Sequence, residues 1–212
     1  MMAAAVSEDD TSEPALLRAW QAGDQHAGSA LFKRHYASIY RFFLSKVPEA
    51  AEDLVQRTFL ALLEARGRFR GDSSLRTFLF GIAQNTLRHY LRGRQRSEQP
   101  LDSEIRSAAE LAPGPVTLLG RHQEQRLLLR ALRHIPLDHQ VALELHYWEH
   151  QSAAQIAEIM EAPVGTIKTW LRRGRQLLRE QIVALAETPE QRDSTLGGFE
   201  QWMRALPDPG SR

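Results

Sequence analysis

Gln151 to Leu171, QSAAQIAEIMEAPVGTIKTWL, reads as two helices around a tight turn. Ser152 caps the first, and Ile156, Ala157 and Met160 recur at helical spacing on its inward side. Glu161-Ala162-Pro163 makes the turn, and a second helix starts between Val164 and Thr166. Ala157 is small enough for the helices to cross closely, and Ile167 anchors the second. That helix then carries Lys168, Thr169, Trp170, Arg172 and Arg173, donors long enough to reach base edges and phosphates in a major groove. The N–H groups near Gly165 and Thr166 also suit a phosphate. An αα-hairpin with a solvated basic face fits the same periodicity. Small residue, turn, anchor and basic run in that order favour a helix-turn-helix that reads DNA.

Helical patterning extends to both sides. Upstream, Leu127, Leu128, Leu129, Leu132 and Ile135 lead to Pro136, then Val141, Leu143, Leu145 and Trp148 follow. In the first half, Ser12 caps a helix with Pro14 in its first turn, and Gly23-Asp24 ends it. Asp24 is the next N-cap. From Ala30 to Val47 the apolar positions fall three and four apart, until Pro48 stops or kinks the helix. A third helix, about 49–65, begins with Glu49, Glu52 and Asp53, which suit the positive end of its dipole. Gly67, Gly71, Asp72, Ser73 and Ser74 form an Arg-rich loop, and helical periodicity resumes at Thr77. Between 97 and 118, Pro100, Pro113, Gly114 and Pro115 interrupt any apolar period, marking a linker. As a flexible coil it averages about 25 Å, and extended it bridges a duplex turn of about 34 Å. The fold class expected is all-α: two small helical domains, 12–96 and 119–186, the second a helix-turn-helix, joined by a flexible linker and followed by a tail at 187–212.

The whole-chain charge of +1 hides a local polarity. Residues 66–96 hold eight arginines against Asp72 alone, residues 165–179 hold Lys168, Arg172, Arg173, Arg175 and Arg179 with no acid, and residues 1–13 hold four acids with no base. Two separated basic segments imply two contacts with a polyanion. The absence of cysteine excludes disulfides, thiolate metal sites and a cysteine nucleophile, and fits a reducing compartment. No uncharged run is long enough to span a bilayer, and the N-terminus has no basic region before its apolar residues, so neither direct membrane insertion nor a secretory signal is expected. His146 and His150 stand four apart, but Tyr147 follows His146 where a zinc-hydrolase box has Glu. No phosphate-cradling loop, dinucleotide fingerprint or nucleophile elbow occurs. Neither catalytic residues, metal nor cofactor is expected, and the chain is not an enzyme by itself.

Taken together, these stretches resemble the bacterial sigma-70 RNA polymerase sigma factors, of the short extracytoplasmic-function (ECF) type that keeps only regions 2 and 4. The likeness to region 2 lies in AEDLVQRTFLALLEARGRFRGDSSLRTFLFGIAQNTLRHYLRGRQR, residues 51–96. Region 4 is matched by residues 132–182, through Ile135-Pro136, Ile156-Ala157-Glu158 and Gly165-Thr166-Ile167-Lys168. The resemblance implies a cytoplasmic protein that binds core RNA polymerase, through the β′ coiled coil and the β flap, and promoter DNA, with an anti-sigma factor as regulator. It implies that Glu52, Asp53, Gln56 and Phe59 dock on the polymerase. Gly71, Asp72, Ser73 and Ser74 then form the loop that captures a base flipped from the −10 element. On the following helix, Phe78, Phe80, Asn85, Arg88 and His89 contact and melt the −10 DNA, where an aromatic ring replaces lost stacking worth about 1–3 kcal/mol. For Phe78, core packing is an equal reading. Lys168, Thr169, Trp170, Arg172 and Arg173 read the −35 element, with Arg175 and Arg179 as phosphate contacts or a solvated face.

Several positions depart from the family pattern. Trp170 stands where Arg is usual, Glu161 and His150 where Gly is common, Gly28 where an aromatic is common, and Phe78 where Trp is usual. A left-handed backbone at Glu161 costs roughly 1 kcal/mol. In the tail, Leu196, Phe199, Trp202, Met203 and Leu206 recur at helical spacing, so it either docks on the chain's own domains or a regulator, or stays disordered. The competing functional reading is a stand-alone helix-turn-helix regulator, which needs neither the Arg-rich loop nor the acidic helix.

Overall fold

The computed structural model describes residues 12–97, 107–108 and 123–204, and within them every named element is a helix. Four helices form the first domain: α1 (Glu13–Gln21), α2 (Gln25–Leu44), α3 (Ala51–Ala65) and α4 (Leu75–Ser97). The second contains α5 (Gln123–Arg133), α6 (Leu137–Tyr147), α7 (Ala153–Met160) and α8 (Val164–Leu185), followed by α9 (Pro189–Gly197) and α10 (Phe199–Arg204).

Local chemistry sets the helix starts. Ser12 Oγ accepts from Ala15 N, Asp24 Oδ1 from His26 N and Ala27 N, and Ser74 Oγ from Thr77 N. Each bond satisfies N–H groups that a first turn leaves without acceptors. The second helix ends at Leu44 rather than at Val47, because Val47 precedes Pro48 and is held out of the helical region, at φ −138° and ψ 65°. Pro48–Ala50 then forms a 3-10 turn ahead of α3.

Gly28 on α2 is buried, and a Cβ there would run into the indole of Trp20. The aromatic that the sequence pattern lacks at position 28 is thus supplied by α1: Trp20 is 3% exposed and stands edge-on to Phe32 at 5.7 Å.

The two domains do not stand apart. One apolar cluster runs from Leu31, Phe43, Leu54 and Leu87 of the first domain to Val141, Ile156, Met160 and Ile167 of the second, with α7 laid along α4. Of residues 97–118, only 97, 107 and 108 are described. Ser107 pairs with Pro136 in an isolated antiparallel bridge, and the buried Arg133 donates to Ala108 O at 3.3 Å. No described helix is long and apolar enough to cross a membrane.

Candidate nucleic-acid interface

The helix-turn-helix forms as its residues dictate. Ser152 Oγ accepts from Gln155 N while Gln155 Oε1 accepts from Ser152 N, a reciprocal capping box. Ile156, Ile159 and Met160 are buried, and Glu161 closes the helix in the left-handed region at φ 54°, ψ 44°. Pro163 precedes α8 and makes no side-chain cap bond, so no capping side chain takes up the first N–H groups of α8. Ile167 is 0% exposed and pins α8 to the core. Gly174 lets α6 approach: a Cβ there would meet Leu143 Cδ1 at 3.2 Å and His139 Cβ at 3.3 Å.

Lys168, Thr169, Arg172 and Arg173 are all exposed on α8. Thr169 Oγ1 is held by Gly165 O at 3.0 Å. Trp170 is not with them. It lies three residues after Ile167, on the inward flank, half-buried against the core with its ring centroid 6.2 Å from that of His139. Arg175 and Arg179 are also diverted: Arg175 donates to Tyr147 Oη at 3.4 Å, and the Arg179 guanidinium lies 4.5 Å from the Phe199 ring centroid. Arg179 nonetheless remains exposed and Arg175 half-buried.

In the first domain, Glu52, Asp53 and Gln56 are exposed on α3, with Asp53 paired to Arg57 at 2.8 Å. Phe59 is half-buried between Phe32 and Tyr36, at 4.9 and 6.5 Å. Leu60 and Leu63 stay exposed beside it, so this flank is acidic and apolar together. The loop turns at Gly71, φ +79°, leaving Asp72 and Ser74 exposed and Ser73 half-buried. Phe78 is half-buried and packs on Phe69 at 4.9 Å. His89 is exposed.

The face of α4 that carries Asn85 and Arg88 is occupied. Arg88 Nη2 donates to Met160 O at 2.6 Å, Arg88 Nη1 stands 3.7 Å from Glu161, and Asn85 Nδ2 donates to Glu161 Oε1 at 3.5 Å. Phe80, expected at the DNA, is 1% exposed, edge-on to Phe42 and beneath the Arg76 guanidinium. In this arrangement it belongs to the core because the packed helices close over it. Glu161 explains its own departure from glycine: a left-handed glycine would spare backbone strain but would have no carboxylate to reach α4.

Sequence reasoning missed the polar network that closes the two domains. Lys46 Nζ donates to Glu144 Oε2, and to Phe42 O at 2.7 Å, with Lys46 0% and Glu144 2% exposed. Ser45 Oγ and Gln140 Nε2 complete the Glu144 carboxylate at 3.1 and 2.8 Å. Arg41 and Arg76 both grip Glu149, Arg41 at 2.7 Å, and Thr77 Oγ1 donates to Gln151 Oε1 at 3.1 Å. Burial alone raises the Glu149 carboxyl, but the Arg41 and Arg76 guanidiniums outweigh it and hold the group below the ordinary carboxylate range. Burial pushes the Lys46 ammonium down, opposed by Glu144. The one sequence signal was the polar run Glu149-His150-Gln151 just before the capping box, where His150 also adopts φ 54°.

The described residues thus form an all-helical chain with an exposed, mostly basic row on α8 and an acidic and apolar flank on α3. Residues 31–97 match the family model for Sigma-70 region 2, and residues 125–178 that for Sigma-70, region 4. The RNA polymerase sigma-H factor of Pseudomonas aeruginosa is 31% identical over 177 residues, covering 78% of this chain and 91% of the relative. The ECF RNA polymerase sigma-E factor of Escherichia coli K12 is 28% identical over 186 residues, 84% of this chain and 97% of the relative. Among solved structures, CnrH in complex with the cytosolic domain of CnrY aligns with a TM-score of 0.62 at 22% identity, over 84% of this chain and all of that one. The sigma factor RpoE of Bartonella quintana, solved with the anti-sigma factor NepR, aligns with a TM-score of 0.56 at 25% identity, over 70% of this chain and 92% of that one. The chain belongs to the sigma-70 family of RNA polymerase sigma factors, in the ECF group with regions 2 and 4. Sigma factors are non-enzymatic transcription initiation factors.

Proposed function

We propose that this sigma factor binds core RNA polymerase through the acidic and apolar flank of α3 and directs initiation by two DNA contacts, one on each domain. Glu52, Asp53, Gln56 and Phe59 meet the polymerase β′ coiled coil, and the second domain meets the β flap. Lys168, Thr169, Arg172 and Arg173 read the −35 element in the major groove. The loop at Gly71, Asp72, Ser73 and Ser74 takes a base flipped from the −10 element, with Asn85, Arg88 and His89 along α4 beside it. The functional units are 12–96 for the polymerase and −10 contacts, 119–186 for the −35 contact, 97–118 as the connection and 187–212 as a regulatory tail. Work with RNA polymerase places the protein in the cytoplasm, and an anti-sigma factor is its natural restraint, as NepR is found on RpoE.

The observation that carries this reading is the exposed basic row on α8, four residues of one helix held outward by the buried Ile167. Use of the −10 surface requires α7 to leave α4, because Arg88 and Asn85 are bonded to Met160 and Glu161 in the closed arrangement. The test is transcription by core RNA polymerase plus the full chain on a library of random promoters, with Asp53→Ala/Gln56→Ala as control. Promoter-selective initiation that the control loses supports the reading. No core binding, with tight duplex binding by the chain alone, overturns it in favour of a stand-alone regulator.

A further inference from the structure

His150 adopts φ 54°, a left-handed backbone that glycine takes without strain and a residue with a Cβ does not. Glu161 offsets the same strain through its bonds to α4. The His150 ring is exposed and has no hydrogen-bond or ion-pair partner among the described residues. A side chain kept at a strained position, with nothing to bond inside the chain, points to a partner outside it.

That ring stands in the wall of a cavity of about 330 Å³, together with His146, Tyr147, Ser152 and Arg204. Arg204 is exposed, and its guanidinium also lacks an acid or a hydrogen-bond partner among the described residues. It ends α10, a helix of six residues that is not stable alone in water. Phe199 and Met203, 2% and 0% exposed, hold α10 in the cluster of Leu127, Leu178 and Ile182, and Met203 fixes the place of its neighbour Arg204. His146, His150 and Ser152 lie within the region 4 match at residues 125–178, whereas all of α10 lies past it. The cavity joins a wall from the shared part of the family to a cation from outside that part.

The basic face of α8 leads to this cavity. Lys168, Arg172, Arg175 and Arg179 follow at intervals of four, three and four, one stripe of that helix. Arg175 donates to Tyr147 Oη at 3.4 Å, in the cavity wall. Tyr147 Oη donates in turn to Glu200 Oε2 at 3.2 Å, so that carboxylate is already engaged. Ser152 Oγ accepts from Gln155 N, which leaves its hydroxyl proton to donate. A guanidinium, a hydroxyl and two imidazoles around one open cavity, with no carboxylate among its described lining residues, match a phosphodiester group.

We propose that this cavity holds a backbone phosphate of the duplex read by α8, and that docking of α10 on the second domain positions Arg204 at it. The proposal rests on the reading of α8 as a DNA-binding helix and deepens it. Arg204 and His150 add affinity rather than sequence choice, because a phosphate is the same at every base pair.

The test measures binding of the full chain to labelled duplexes of unrelated sequence by fluorescence anisotropy, at salt stepped from about 50 to 200 mM. Removing one phosphate contact makes the slope of log affinity against log salt shallower by about 0.9. Arg204→Gln, at an exposed position, is expected to show that change, so the natural chain loses about threefold more affinity across the range than the variant. Its loss at low salt should be equal on every duplex, and Arg204→Lys should restore the slope. His150→Gly should weaken binding to all duplexes while raising the thermal midpoint. Phe199→Ala/Met203→Ala undocks α10 and should match Arg204→Gln, and adding Arg204→Gln to it should cost nothing further. Arg204→Gln with the natural slope and affinity overturns the proposal, as does tighter binding after undocking, which would make α10 a cover. Arg172→Ala separates the proposal from the reading beneath it. If Arg172→Ala weakens binding and Arg204→Gln does not, this proposal alone falls; if neither does, the reading of α8 falls with it.

Discussion

Lys46 at the end of α2 and Glu144 on α6 form an ion pair with almost no solvent access, 98 residues apart in sequence. Bringing two charges out of water is costly, and the pair is tolerable because Ser45, Gln140 and Phe42 O satisfy the remaining valences. Each partner comes from a different domain, so the pair ties the closing of the two domains to the survival of both charges.

Removing one partner strands the other in the interface. Glu144→Ala is expected to cost about 3–5 kcal/mol of closed-state stability, and the domains escape that cost by separating. The chain has no cysteine, so spin labels at Glu64→Cys and Gln176→Cys, both exposed, report the separation directly. A narrow distance distribution in the natural chain should broaden and lengthen in the Glu144→Ala chain. Lys46→Met/Glu144→Leu, apolar on both sides, should stay closed.

Acid should loosen the same interface through Glu149. Its carboxyl is held below the ordinary value of 4.5 by Arg41 and Arg76, so the unfolded or opened form takes up protons first as pH falls. The contribution of Glu149 is fully present above 4.5 and is lost as pH falls through the lowered folded value. Denaturant titrations at stepped pH should show a fall in stability on acidification that is smaller in Glu149→Gln.

Glu161→Gly should separate two effects. Relief of the left-handed strain raises the stability of the helix-turn-helix by about 1 kcal/mol, read as a higher thermal midpoint. Loss of the carboxylate frees Asn85 and one contact of Arg88, so exchange of the α4 amides should quicken in the same variant.

Gly28→Ala places a methyl group against a fully packed indole. Overpacking of this kind costs about 1–3 kcal/mol, and Trp20→Leu in the same chain should recover part of it. A Gly28→Ala chain as stable as the natural one would mean that Trp20 does not fill that site.

On the recognition helix, Arg172→Ala should cost about 1–3 kcal/mol in promoter discrimination and relax the sequence preference at the base pairs it reads. Arg179→Ala should leave that preference unchanged, since its guanidinium faces Phe199. Promoter selection from a random library distinguishes the two.

What was legible in the sequence was local. Ser12, Asp24 and Ser152 announce their helix starts because a capping side chain acts within three residues, and Ile156, Met160 and Ile167 mark an inward face by their spacing. The row at Lys168, Thr169, Arg172 and Arg173 followed from the same periodicity, although that periodicity also sets Trp170 inward. What was hidden depends on partners distant in the chain. Lys46, Glu144 and Glu149 look like surface charges until α6 and α7 are laid on α2 and α4. The contacts of Arg175 with Tyr147 and of Arg179 with the Phe199 ring likewise depend on residues distant in the chain. Gly28 acquires its reason from Trp20, on another helix.

Masking of α4 by α7 is tested most directly by the affinity of the free chain for a pool of randomised single-stranded DNA. The natural chain should bind weakly, and Glu144→Ala should bind at least about tenfold more tightly, with the gain lost when Arg88→Ala is added. Equal affinity of the natural and Glu144→Ala chains, with the domains shown to be apart in the latter, would contradict the assignment of that face to DNA.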